Sequence, residues 1–91
     1  MEKNFKKGQW LIRRWSKENG GETDFAKFEE PYNSDEFTHT KFYRFKDNKL
    51  MWTQPKSGDK QVEYTDGRMS LNWRIATKAE ITKYAFLVFC A

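Results

Sequence analysis

Hydrophobic and polar positions alternate through most of this chain, and near the end the period changes. Met69, Leu71, Trp73 and Ile75 are interleaved with Ser70, Asn72 and Arg74, the two-residue period of a strand with one buried face. At Thr77 that period stops. Thr77 followed three residues later by Glu80 is a capping box, in which the Thr hydroxyl accepts from the Glu80 amide and the Glu80 carboxylate from the Thr77 amide. Ile81 and Tyr84 continue an apolar stripe at helical spacing. A strand over 68–76 therefore runs directly into a capped helix from Lys78 to about Tyr84.

The rest of the chain reads as strands and turns. Gln9 to Trp15 is a strand with Trp10 and Ile12 on one face and Leu11, Arg13 and Trp15 on the other, so both faces need cover. Ser16 to Gly21 is a turn, because Asn19-Gly20-Gly21 reaches positive φ cheaply. Glu22 to Phe28 returns antiparallel. The acidic stretch from Glu29 to Glu36 is expected as an exposed loop, since Pro31 cannot donate to a central ladder. Its alternative is one helical turn capped by Asn33 or Ser34. Phe37 to Phe45, a turn over 46–49 and Leu50 to Gln54 form a hairpin with Leu50 and Trp52 on one face. After a loop at 55–59, Lys60 to Tyr64 pairs with the strand over 68–76 through Thr65-Asp66-Gly67. Ala85 to Phe89 is favoured as a final strand over continued helix, which would carry apolar groups all round. Six or seven short strands and one helix make a mainly β single domain over residues 1–91, a β-barrel or strongly bent sheet.

The run Ile75-Ala76-Thr77-Lys78-Ala79-Glu80-Ile81 resembles the Arg-x-Ala-Thr-x-Glu-Glu-Ile ending of many small, uncharacterised bacteriophage and prophage proteins. Lys7-Gly8-Gln9-Trp10-Leu11-Ile12 is similar to the Lys-x-Gly-x-Trp/Tyr-Val strand with which those proteins often open. The resemblance implies a small SH3-like or open antiparallel β-barrel with one short C-terminal helix, and a mobile-element origin. It brings no catalytic residues.

Composition narrows the class. A chain of 91 residues buries a modest share of its surface and needs large side chains in its core; aromatic residues are 18% of this one. Mean hydropathy is −1.00, and the longest apolar run, Ala85 to Ala91, is far short of the roughly 20 residues that span a bilayer. Lys3, Lys6, Lys7, Arg13 and Arg14 leave no apolar core for a secretory leader. Cys90, the one cysteine, has no partner for an internal disulfide. The expected setting is the cytoplasm of a bacterial host. Charge is uneven: residues 1–17 carry +5, residues 18–36 carry −6 and residues 37–91 carry +5. The acidic block counts against a simple nucleic-acid grip.

Candidate chemistry is sparse. His39 is the sole histidine, with no ligand set for a metal beside it, and reads as a half-exposed strand residue. Glu29-Glu30 and Asp35-Glu36 are adjacent pairs whose side chains diverge on an extended chain. No phosphate loop or nucleophile elbow is present. No catalytic, cofactor or metal site is therefore expected. Cations interleaved with flat rings suit binding instead, and the candidate residues are Lys7, Arg13, Arg14, Trp15, Tyr43, Arg44 and Lys46. Trp10 and Trp52 are expected in the core, and Arg14 with Trp15 at the surface, removable together without loss of stability. The function expected is a non-enzymatic phage-type protein that occludes or redirects a host protein. The alternatives are a nucleic-acid-binding barrel and a structural subunit assembling by edge-strand pairing.

Overall fold

The computed structural model describes residues 5–33, 35–54, 60–64 and 73–91. The strands are β1 (Trp10–Arg14), β2 (Thr23–Asn33), β3 (Glu36–Lys46), β4 (Lys49–Thr53), β5 (Gln61–Tyr64) and β6 (Arg74–Ile75), and one helix follows, α1 (Lys78–Phe89). They form one antiparallel sheet in the order β4-β3-β2-β1-β6, with β5 also on β3. Among the described residues the sheet does not close.

Two hairpins follow from local chemistry. Between β1 and β2 a 3₁₀ turn at Lys17–Asn19 ends in Gly20 and Gly21, both at positive φ. Between β3 and β4 the turn residues Asp47 and Asn48 have φ of 51° and 61°, the left-handed pair that matches strand twist in a two-residue hairpin.

The acidic stretch is not a loop. β2 runs on to Asn33, and Pro31 lies opposite Phe37 of β3. Pro31 is tolerated because β1 has ended: the ladder from β1 stops at Trp10 opposite Lys27, with Gln9 and Gly8 bonding Phe28 beyond it. Past that point β2 has β3 on one side only among the described residues, so a missing N–H leaves no ladder bond unmade. Three register shifts between β2 and β3 bend this part of the sheet.

β4 and β5 lie end to end. β4 pairs with residues 43–46 of β3 and β5 with residues 36–39, while β2 holds the other edge of β3 along its length. Pairing continues from β4 to Gln54, whose amide donates to the Phe42 carbonyl, and resumes at Gln61 opposite His39. Among the described residues a break in the pairing therefore faces the middle of β3.

Both faces of the sheet are covered. One carries Leu11, Ala26, Phe28, Phe37 and Phe42, closed over by Trp73, which meets Phe37 and Phe42 edge to face at centroid distances of 5.7 and 6.0 Å. The other carries Ile12, Phe25 and Phe45 under Ala76 and Tyr84. α1 is the lid on this second face. Its capping box forms as the sequence predicts, with Glu80 N donating to Thr77 Oγ1 at 3.2 Å and Thr77 N to Glu80 Oε1 at 2.9 Å.

The helix runs to Phe89, so the final strand expected at Ala85 to Phe89 is not formed. Ile81, Tyr84 and Val88 fall at i, i+3 and i+7, and this stripe joins Trp10, Phe25 and Tyr43 in one apolar cluster. Covering that face stabilises more than the β-propensity of a few residues could. The cost is on the far side, where Phe86 and Phe89 are 64% and 87% exposed.

Leu50 and Trp52 also depart from expectation. A bulge between Arg44 and Phe45 sets Trp52 opposite Arg44 but Leu50 opposite Phe45, so Leu50 joins the helix side while Trp52 contacts Phe42 on the other face. Ile75, expected on a buried face, sits half-exposed on β6. The hairpin expected between 60–64 and 68–76 falls largely outside the described residues.

Candidate functional site

Strand parity builds the site. Leu11, Arg13 and Trp15 are successive same-side positions from β1, and the register sets Arg13 opposite Asp24 of β2, and Asp24 opposite Arg44 of β3. Arg44 in turn faces Trp52 of β4. One rung thus carries a cation, an anion, a cation and an aromatic ring across the sheet.

Asp24 is fully buried and accepts at both oxygens. Its Oδ2 takes Arg13 Nη2 at 2.7 Å, Arg13 Nε at 3.2 Å, Trp15 Nε1 at 2.6 Å and Arg44 Nη2 at 3.1 Å, and its Oδ1 takes Arg44 Nε at 2.7 Å. Arg13 is 4% exposed. Its guanidinium lies 4.8 Å from the Trp15 ring and 4.4 Å from that of Trp73, where a flat, weakly hydrated cation gains from two aromatic faces. Arg44 is less buried and also reaches Glu22 at 3.2 Å. Its hydrogen bonds to Asp24, with the charges of Asp24, Glu22 and Glu63, raise its pKa above the usual value.

Through Arg44 this cluster borders a cleft between the ends of β4 and β5. The cleft encloses about 420 Å³ and is lined by His39, Phe42, Arg44, Trp52, Gln61, Val62 and Glu63. Trp52, half exposed, forms its aromatic wall against Phe42 at 5.7 Å. Glu63 lies 3.5 Å from Arg13 Nη2, so β5 curls over the face that β1 presents. His39 is buried, not half exposed, because the bulged pairing of Phe28 with His39 turns it toward the core. Its Nδ1 and Gln54 Oε1 are 2.8 Å apart, and burial holds its pKa below the usual histidine value despite that bond. Near neutral pH the imidazole is therefore uncharged.

The sequence candidates divide. Arg13, Trp15 and Arg44 come together around Asp24. Arg13 is no solvated strand charge, and Trp15 is an internal brace, since it donates to Asp24 and stacks on Arg13. Tyr43 faces the other way, 6.3 Å from Trp10 under the helix. Arg14 and Lys46 share a different recess on the helix side, and Lys7 stands apart in the turn before β1, exposed. Asp24, Glu63 and the Trp52 wall were not among the candidates. Asp24 had a signal: it shares parity with Ala26 and Phe28, which places a carboxylate on an inward row and calls for an inward cation. Glu63 had none, because its partner depends on how far the sheet curls.

Among the described residues no group of three or more His, Cys, Asp and Glu is placed to hold a metal ion, and no helix is long and apolar enough to cross a membrane. What the cleft offers is recognition chemistry: an imidazole, an amide, a carboxylate, a guanidinium and two ring faces. In comparison with known proteins, the chain matches no family model, no curated protein and no solved structure.

Proposed function

We propose that this is a non-enzymatic binding protein that occludes a site on a partner protein, through the cleft at the β4–β5 break. The observation that carries the reading is the half-exposed Trp52 ring beside Arg44 at the mouth of a cleft of mixed charge. Trp, Tyr and Arg are the residues that most often anchor protein interfaces. Arg44 is held in place by Asp24 beneath it, so little side-chain freedom is lost on binding. Val62 and Tyr64 on β5 add exposed apolar area next to the cleft. The expected architecture is an SH3-like barrel, and the approach of Glu63 to Arg13 supports a curl in that direction. The resemblance to phage and prophage proteins suggests a bacterial host protein as partner.

The nucleic-acid reading asks for one continuous basic face. The basic and aromatic residues of β1 are instead dispersed: Arg13 is buried on Asp24, Trp10 lies under α1, and Arg14 reaches Glu80 at 3.4 Å.

The test is a comparative capture experiment from nuclease-treated bacterial lysate with wild type, Trp52→Ala, and Phe86→Ser on the far side. The reading expects a stoichiometric protein retained by wild type and Phe86→Ser and lost from Trp52→Ala. Capture indifferent to Trp52, or nucleic acid that elutes steeply with salt, would overturn it.

A further inference from the structure

On the opposite face of the sheet from the cleft, three elements bring cations to one polar recess of about 190 Å³. Arg14 ends β1, Lys46 ends β3 and Lys83 lies on α1, and all line it with Thr23 and Tyr84. The arrangement is set by the fold. Arg14 pairs with Thr23, and Thr23 with Phe45, along one rung. Lys46 follows Phe45 into the β3–β4 turn, and Tyr84 packs on Phe45 at a centroid distance of 4.8 Å, which fixes where Lys83 stands.

The charges around the recess do not balance. Among the described residues its lining holds Arg14, Lys46 and Lys83 against the single carboxylate of Asp47. Glu80 reaches Arg14 at only 3.4 Å and is held by Arg74, at 2.6 and 2.8 Å, and by the Thr77 amide. Converging like charges repel unless an anion sits among them. A carboxylate would present two oxygens; a phosphate presents more, on several sides, to a planar guanidinium fork, two ammonium groups and two hydroxyls. The volume admits several water-sized groups.

We propose that this recess is a binding site for a phosphate group, separate from the cleft and independent of its function. The test is an NMR titration of the whole chain with inorganic phosphate, chloride being exchanged to hold ionic strength constant, and with adenosine monophosphate in a parallel arm. Saturable shifts are expected at the amides of Gly21, Thr23 and Asp47. Lys46→Gln combined with Lys83→Gln should weaken phosphate binding about tenfold or more, whereas Lys27→Gln, on the same face but beside Trp10 and outside the recess, should leave it unchanged. Equal affinity for both ligands assigns the free phosphate group, and tighter binding of the monophosphate assigns a phosphate monoester. Both lysines are exposed, so the double variant should keep the wild-type melting temperature, and the single variants serve if it does not. Shifts that never saturate, or affinity unchanged in the lysine variants, would overturn the proposal.

Discussion

Asp24→Ala tests the centre of the molecule. The substitution removes the acceptor of five donor contacts, from Arg13, Trp15 and Arg44. Arg44 loses least, because it is about one-third exposed and keeps Glu22 at 3.2 Å. Arg13 cannot leave: its side chain is 3% exposed, and its other carboxylate, Glu63, is 3.5 Å away and more solvated. Stranding one buried charge in this way costs about 3 to 5 kcal/mol. A domain of this length has about 5 to 14 kcal/mol in all, so the loss is a large fraction of the total. With a urea slope of about 1.5 kcal/mol/M, the unfolding midpoint should fall by about 2 to 3 M. A second variant separates isolated charge from lost contact. Arg13→Met with Asp24→Leu removes both ions and fills their space, and should recover most of the loss, as replacing a whole buried pair often does. A midpoint lowered by less than about 0.5 M in Asp24→Ala would refute the reasoning, and a double variant as unstable as the single would show that packing dominates.

Three further outcomes follow from the same geometry. Trp15→Ala should destabilise by about 1 to 2 kcal/mol through loss of a hydrogen bond to a charged group and a ring contact with Arg13, while Arg14→Ala should cost under about 0.5 kcal/mol; equal effects in thermal unfolding would remove the distinction. The Glu80 carboxyl is held at about 2, chiefly by its hydrogen bonds from Arg74, with the Thr77 amide adding to them and burial opposing. A depressed carboxylate contributes stability that is complete above its unfolded value and is lost as pH falls from about 4.5 toward 2, about 1 to 2 kcal/mol after allowing for the exposed Arg74. Glu80→Gln should flatten the urea midpoint across that window, and an unchanged acid limb would count against it. His39, depressed by burial, should titrate by NMR with a midpoint below 6.5, and its contribution to stability should be lost as pH falls below that value. A midpoint at or above 6.5 would mean that the ring is hydrated.

Local chemistry was legible in the sequence wherever neighbours in the chain decide it. The capping box at Thr77 and Glu80, the glycine turn before β2 and the Asp47-Asn48 turn each depend on a few adjacent residues. The alternation in β1 even showed large residues on both faces, and hence that both needed cover. What the chain alone could not settle was which element covers which face. Ala85 to Phe89 has strand-like residues, but the uncovered face of Trp10, Phe25 and Tyr43 makes the helix the better use of them. Pro31 excludes a central strand, yet nothing local says that β1 stops at Trp10 and leaves β2, among the described residues, with β3 alone beside it there. The candidate site divides along the same line. Arg13 and Asp24 occupy inward positions that parity alone marks. Their meeting, the bulge that separates Leu50 from Trp52, and the cleft beside His39 depend on register between distant strands. Register is settled by the summed burial of both faces, which is a property of the folded sheet and of no single segment.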